Sequence, residues 1–400
     1  MADFEDIYIV SGVRTAIGDF GGALKGFKPA ELGGKVITEA LSRAGIAAGD
    51  VGHVLMGQVG STSARDAFVA RVAALNAGIP HEVPALTVNR LCGSGVQSIV
   101  SAAQMMLLGE ASITVAGGTE SMTNTPFHDH ATRWGQKMGN VTLEDALIVG
   151  LSDPVGGYHM GVTAENVAER HCISREDMDA LAVTSHQRAA RAQAEGRFAE
   201  QILPIEVKTR KGVVVFDTDE HVKGDTSLDV LAAMKPAFKK DGAVTAGNAS
   251  GINDGAAAVV LATGSEVEKR GLNPLARIVA WGFAGVDPAY MGEGPIKAVP
   301  IALQRAGLSL DQIDVIESNE AFAAQAAAVA KALGFDPEKV NPNGSGVSLG
   351  HPVGATGTIL TVKAIYELKR IGGRYGLITM CIGGGQGIAL VIENAQEAGK

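Results

Sequence analysis

The sequence predicts an α/β protein with a largely parallel sheet, built from two similar halves with a more polar segment between them. Three observations predict it. β-rich apolar runs alternate with Ala-rich amphipathic stretches, the order in which strands feed helices that cover the faces of a sheet. The stretch AGIAAGDVGHVLMG (44–57) returns as AGLSLDQIDVIESN (306–319), about 262 residues later. The composition is 46% hydrophobic but only 4% aromatic, with 52 glycines, which suits tight packing of Ala, Val, Ile and Gly rather than disorder. At 400 residues the chain exceeds one simple core and points to two or three subdomains.

Taken in order, IYIVSG (7–12) reads as a strand and ELGGKVITEALSRAG (31–45) as a helix closed by Gly45. HVLMGQV (53–59) is a strand and ARVAALNAG (70–78) a helix. LTVNRL (86–91) is a strand running into Cys92, followed by a helix from about Gly95 to Leu108. SITVAGG (112–118) is a buried strand ending in two glycines, and LITMCIGGG (377–385) resembles it in the second half. Two helix–strand pairs thus recur in the same order, as a duplicated unit would. Between the halves, residues 122–250 are more polar, hold the histidine segments HDH and GYHMG, and carry one long helix. Ser174 and Asp177 form its capping-box start, and it runs to Gly196. This segment reads as an insertion lying over the first half, where a substrate-covering loop could sit. The division is then 1–121, completed by about 251–274, for the N-terminal half, 122–250 for the loop domain and 275–400 for the C-terminal half.

The net charge of −9 without a lysine or arginine cluster argues against nucleic acid as a partner. It does not exclude an anionic small ligand, because backbone donors can bind phosphate within an acidic surface. Three cysteines, Cys92, Cys172 and Cys381, with no CxxC pair, fit a reducing compartment rather than a disulfide framework. The first residues are acidic where a signal peptide would be basic, and the final Ala-Gly-Lys is not a peroxisomal address. No apolar run approaches the roughly 18 residues that span a bilayer, so no membrane partner is expected. The expectation is a soluble cytoplasmic enzyme. Its glycine-rich loops lack the Lys-Ser/Thr ending of a P-loop. No GxGxxG fits a strand–turn–helix context, and no cluster has metal-ligand spacing, so no metal is expected.

Four positions could carry chemistry. Cys92, in NRLCGSG, lies at a strand end before a helix, whose free N–H groups would favour a thiolate, and Gly93 and Gly95 would let a substrate approach the backbone. It is equally readable as a small buried cysteine beside a tight turn. His351, pinned between Gly350 and Pro352 in SLGHPVGATG, sits on an inflexible loop from which a ring nitrogen can reach a thiol; a solvent-exposed loop histidine is the bland alternative. It is the only histidine after His221. Cys381 opens CIGGGQG, where backbone N–H groups could form an oxyanion-binding nest, or where a buried strand simply ends. Asn319, in ESNEAFAAQ, sits at a strand-to-helix junction, where asparagine is also a common N-cap.

NRLCGSG, NEAFAAQA, GHPVGATG and CIGGGQG together resemble the four signature motifs of the thiolase family, in the family's order and approximate spacing. AGNASGINDGAAAVVL (246–261) and GYHMGVTAENVAER (157–170) resemble further family blocks, so the likeness covers essentially the whole chain. The resemblance implies a five-layer αβαβα sandwich of two duplicated halves with an inserted loop domain. It implies that Cys92 attacks an acyl-CoA carbonyl to form an acyl-enzyme while His351 accepts its proton, and that Cys381 removes the α-proton of a second acetyl-CoA. A water held by Asn319, with His351, would serve the enolate oxygen. The N–H groups of Cys92 and Gly383 would serve the tetrahedral intermediate.

For coenzyme A, which is substrate and product and not a cofactor, the family pattern implies that His159, Met160, Ser250 and Met291 line the pantetheine and thioester region. Lys223 stands where relatives often carry an arginine near a CoA phosphate. TSLDVLAAMKP departs from relatives that place a serine on the adenine. GYHMG resembles the short-chain, biosynthetic type, which implies acetyl-CoA C-acetyltransferase. Ser345, where many such relatives read Gly-Gly, resembles β-ketothiolases that also accept longer acyl groups. The family also implies a homotetramer, a dimer of dimers.

Two rivals stand beside this reading. A decarboxylating 3-ketoacyl synthase shares the fold and a nucleophilic cysteine but usually needs two second-half histidines, where this chain has only His351. A thiolase-like lipid-binding or scaffold protein would lack one of the four residues, and all four are present.

Overall fold

In a computed structural model of the chain, residues 5–396 are described; the final Ala-Gly-Lys lies outside them. The principal strands are β1 (Ile7–Thr15), β2 (His53–Gly57), β3 (Ala85–Val88), β4 (Ile113–Ser121), β5 (Asn253–Thr263), β6 (Ala276–Gly285), β7 (Val315–Ser318), β8 (Tyr375–Ile382) and β9 (Gln386–Asn394). The principal helices are α1 (Pro29–Ala44), α2 (Val69–Asn76), α3 (Ser94–Leu107), α4 (Met160–His171), α5 (Arg175–Ala194), α6 (Gly294–Ala306), α7 (Ala323–Leu333) and α8 (Val353–Ile371).

The helices begin and end where local chemistry directs. Pro29 opens α1, where its missing N–H costs nothing, and the Glu31 carboxylate accepts the Lys28 N–H at 2.9 Å. Gly45, left-handed at φ 65°, closes the helix as Ile46 N–H reaches back to Leu41 O at 3.1 Å. Leu32, Val36, Ile37, Ala40 and Leu41 share its buried face. The repeat reproduces these steps: α6 closes on Gly307 at φ 67°, and both copies pass through one short 3₁₀ turn into β2 or β7.

The strands form one eleven-stranded sheet whose main path runs β7-β8-β9-β6-β1-β5-β4-β2-β3. The two halves meet at β1 and β6, which pair only through Tyr8 and Ile9 with Arg277 and Ala276. Only β2–β3, β2–β4 and β7–β8 of this path are parallel; β4–β5, β5–β1, β1–β6, β6–β9 and β9–β8 are antiparallel. The expectation of a largely parallel sheet is therefore corrected to a mixed one. Alternation with helices reports only on strands joined by helical crossovers. β9 instead follows β8 through Gly383–Gly385, where Gly384 and Gly385 adopt φ 77° and 83°, and so tight a turn allows only antiparallel pairing.

Five layers result. α1 and α2 cover the outer face of the first half, with Leu32, Val36 and Ala73 in its core. α3 and α8 pack together between the halves, where Ile99, Val100, Leu360 and Ile365 meet Leu55, Ala116, Ile378 and Met380. α6 and α7 cover the second half through Ala298, Ala302 and Val329. α3 and α8 approach closely because a Cβ on Gly95 would lie 2.5 Å from the Thr358 nitrogen, and one on Gly357 would lie 2.4 Å from the Val96 nitrogen.

The insertion differs from its expectation in two ways. It carries a second substantial helix, α4, and its helices pack largely on the second half: Met160, Ala164, Val167, Met178 and Ala182 share a core with Ala323, Ala324 and Ala328 of α7. The small alanine face of α7 leaves room for the Met and Val side chains of the insertion. The far end of α5 still reaches the first half through Ala189 and Ala192. A buried clamp anchors the insertion to β1, with the Arg14 guanidinium donating to both Asp219 oxygens at 2.7 and 3.0 Å and to Gln201 at 2.8 Å. Among the described residues no helix is long and apolar enough to cross a membrane.

Candidate active site

A cavity of about 620 Å³ opens where the insertion meets both halves, within the size range of small-molecule sites. Cys92, His159, Met160, Lys223, Ser250, Met291, His351 and Gly383 all line it. Asn319 and Cys381 stand behind that lining, each fully buried.

Cys92 does not sit directly on a strand end. β3 stops at Val88, and Asn89 turns the chain by accepting the Leu91 N–H at 2.9 Å. Leu91 takes φ 46°, rare for a residue with a branched side chain, and Ser94 locks the turn by accepting the Arg90 N–H at 2.9 Å and donating to Leu91 O at 2.7 Å. Gly93 and Gly95 were expected to admit substrate. Instead they admit protein: a Cβ on Gly93 would lie 2.5 Å from Ile382, as one on Gly95 would from α8. The expected resting thiolate is also corrected. Burial pushes the Cys92 thiol up, against the pull of the Gly383 and Cys92 N–H groups, and the Glu120 carboxylate adds to the rise. Cys92 therefore rests as a thiol.

His351 lines the same cavity as Cys92. It is 5% exposed, which removes the exposed-loop alternative. Its backbone N–H donates to Asn253 Oδ1 at 2.9 Å, and a Cβ at Gly350, which has φ 103°, would collide with the same asparagine. Nδ1 lies 2.7 Å from Thr356 Oγ1, whose own proton goes to Pro352 O at 2.9 Å. The hydroxyl must therefore accept, so Nδ1 carries the ring proton and Nε2 is left with its lone pair. Asn319 Nδ2 lies 3.3 Å from Nε2. Burial lowers the imidazole to about 4, so it is neutral near pH 7.

Asn319 is not a helix N-cap: α7 begins at Ala323, with Phe322 in the capping position. Its backbone N–H is held by Thr379 O at 3.0 Å, while its Oδ1 is buried with no protein partner. Cys381, the penultimate residue of β8, lies within the apolar cluster that holds Met160, Met291 and Phe322. Burial, and then the neighbouring Cys92 sulfur, push its thiol well above the ordinary range. The two sulfurs, far apart in sequence, thus stand close enough to feel each other.

Sequence reasoning missed three supports. Asn341, itself at φ 46°, brackets Asn319: its Oδ1 accepts the Ser318 N–H at 2.9 Å, and its Nδ2 donates to Ser318 O at 2.8 Å and to Glu320 Oε1 at 2.9 Å. NPNG (341–344) signalled a turn, but nothing in it named the strand that the turn would grip. Phe238 stacks on His159 at 4.8 Å and meets Phe322 edge-on at 5.9 Å. His159 in turn accepts the Gly161 N–H through Nδ1 at 3.0 Å, capping α4. Glu120 is the third, a buried carboxylate on the cavity wall.

A cavity lined by a thiol and a neutral imidazole, with a second thiol buried behind it, has the groups that acyl transfer through a thioester calls for. Profiles described as "Thiolase, N-terminal domain" and "Thiolase, C-terminal domain" match residues 7–265 and 272–394. The chain belongs to the thiolase family. It is 58% identical over 389 residues to Beta-ketothiolase BktB of Cupriavidus necator, covering 97% of this chain and 99% of that protein. It is 48% identical over 387 residues to Acetyl-CoA acetyltransferase of Shinella zoogloeoides, covering 96% and 98%. The crystal structure of human mitochondrial 3-ketoacyl-CoA thiolase in complex with CoA superposes with a TM-score of 0.95 at 44% identity, covering 98% of each chain.

Proposed function

We propose that the protein is an acetyl-CoA C-acetyltransferase that joins two acetyl-CoA into acetoacetyl-CoA and free CoA, reversibly, through an acyl group on Cys92. The observation that carries the reading is that one cavity is lined by a neutral Cys92 thiol and by His351, whose Nε2 is kept free of protons by Thr356. His351 takes the Cys92 proton as the sulfur attacks the first thioester carbonyl. The oxyanion collapses and expels CoA thiolate, which takes the Cys381 proton and leaves as the thiol. A Cys381 thiolate then stands beside an imidazolium. It removes the α-proton of the second acetyl-CoA, and the enolate, met by the imidazolium and by a water on Asn319, attacks the acyl carbon. The Cys92 thiolate departs and recovers its proton from His351, and every group is restored. A high-lying Cys381 thiol suits this order, because it holds its proton until a leaving thiolate needs one.

CoA would reach this centre past His159, Met160, Ser250 and Met291, with the exposed Lys223 at the mouth for a phosphate. No cofactor is invoked. A homotetramer in the cytoplasm completes the reading; the short end strand β3, with Leu86 40% exposed, offers an edge for a second copy. A broader 3-ketoacyl-CoA range is the second reading, supported by the apolar wall of Leu91, Ala146, Leu147 and Ile148. Comparing thiolysis of four- and six-carbon 3-ketoacyl-CoAs decides between them. The test of the main reading is release of acetyl-CoA from acetoacetyl-CoA plus CoA, which Cys92→Ser should abolish; full turnover by that variant refutes it.

A further inference from the structure

Glu120, the penultimate residue of β4, has its side chain fully buried, yet it borders the catalytic cavity. Its carboxylate is engaged on both oxygens by backbone N–H groups from two separate segments. Oε1 accepts from Gly60 at 3.0 Å; Oε2 accepts from Val59 at 3.1 Å and from Gly354 at 2.7 Å. Val59 and Gly60 form part of the cavity wall. Gly354 is the second residue of α8, three positions after His351, so the carboxylate also caps the positive end of that helix from a distance. There is no slack at this junction: a Cβ on Gly354 would lie 2.8 Å from Glu120 Oε2 and 2.8 Å from Gln58 Cα.

We infer that Glu120 is a positioning residue of the reaction, whose carboxylate ties the first turn of α8, and through it His351, to the cavity wall beside Cys92. The inference rests on the assignment of Cys92 as nucleophile and His351 as its base. A structural brace alone would need only shape, and a carboxamide has the same shape. Three converging N–H groups need acceptors on both oxygens, and the NH₂ of a glutamine would face at least one of them. Above about pH 7, where it is ionised, Glu120 also carries charge next to the nucleophile. The other ionisable groups around it are Asp254 on β5, which bears on it directly, and Asp66, which accepts from the side chain of Gln58, the neighbour of Val59. Cys92 feels the Glu120 charge as an upward push on its thiol.

The experiment compares the full-length protein with its Glu120→Gln and Glu120→Asp variants. It reads thiolysis of acetoacetyl-CoA with CoA, and the pH profile of Cys92 alkylation by iodoacetamide, with the modified peptide identified by mass. In Glu120→Gln, kcat should fall at least about 10-fold with KM little changed, as a small misplacement of a catalytic group does. The alkylation profile of Cys92 should move to lower pH, because a repelling charge is gone. Glu120→Asp keeps the charge on a shorter arm, so its alkylation profile should match the parent while kcat stays depressed. Parental kcat and an unmoved profile in Glu120→Gln overturn the inference. So does failure of both variants to fold, which would assign the residue to stability alone. Cys92→Ser, run in parallel, separates this failure from that of the catalytic reading: turnover retained there condemns the nucleophile, whatever Glu120 does.

Discussion

Each catalytic group is defined less by its own type than by the one neighbour that sets its protonation. Thr356 is the clearest case, since its hydroxyl is committed to Pro352 O and can only accept from His351 Nδ1. Thr356→Val should therefore lower kcat about 10-fold or more while leaving KM near its parental value, because the wrong tautomer is then free to form. Steady-state thiolysis kinetics check this. Because burial holds His351 near 4, a working enzyme should keep its base unprotonated down to about pH 5. An acid limb of kcat/KM near 6.5 would show that His351 titrates as though exposed. At this scale the sequence was legible in part. Of the four residues expected to carry chemistry, Cys92 and His351 line the cavity, as do His159, Met160, Lys223, Ser250 and Met291, while Asn319 and Cys381 lie buried behind it. The direction of the Cys92 shift was not legible, because helix-end stabilisation is local and visible, whereas burial, and the smaller push of the Glu120 charge, come from segments remote in sequence.

Among the elements, the strand-to-loop junctions carry the function. β7 delivers Asn319, β8 delivers Cys381 and the α8 turn delivers His351, each braced from a segment remote in sequence. The Asn341 bracket around Asn319 contributes three buried hydrogen bonds, each worth about 1 kcal/mol net and more when a partner is left unpaired. Asn341→Leu should then cost about 3 kcal/mol or more in stability, read by chemical denaturation. Helix packing makes a separate demand. Gly95→Ala should destabilise by about 1–3 kcal/mol through overpacking of α3 on α8, measured in the same way. Helices and their caps were readable because capping chemistry is local: Gly45 and the Ser174–Asp177 box lie where the sequence placed them. Strand direction was not, since β9 follows β8 with no helix between them and the pairing of β5 is set across the sheet.

Across the whole molecule, two similar halves and an insertion converge on one cavity, so stability and activity share buried ionisable groups. His186 and His351 are both lowered to about 4 by burial. Below about 6.5 the unfolded chain binds protons that the folded chain refuses, so their contribution is present above that pH and is lost as pH falls toward 4. Glu120 and Glu317, raised to about 7, act oppositely: they favour the fold below about 4.5 and lose that contribution as pH rises through 7. Replacing His186 with Gln should therefore shrink the drop in thermal midpoint between pH 6.5 and 4.5; an unchanged drop would exclude it as a source. The duplication could be read in the sequence because both copies keep the same helix end and turn, whereas the side on which the insertion lies could not, because alanine faces of α5 and α7 carry no label of their partner. The central claim, that one imidazole and two sulfurs share one thioester, is tested most directly by mass spectrometry of the Cys381→Ser variant quenched after mixing with acetyl-CoA. The account predicts an acetyl group on Cys92 and no acetoacetyl-CoA in solution. An acetyl group on any other residue, or condensation continuing without Cys381, would contradict it.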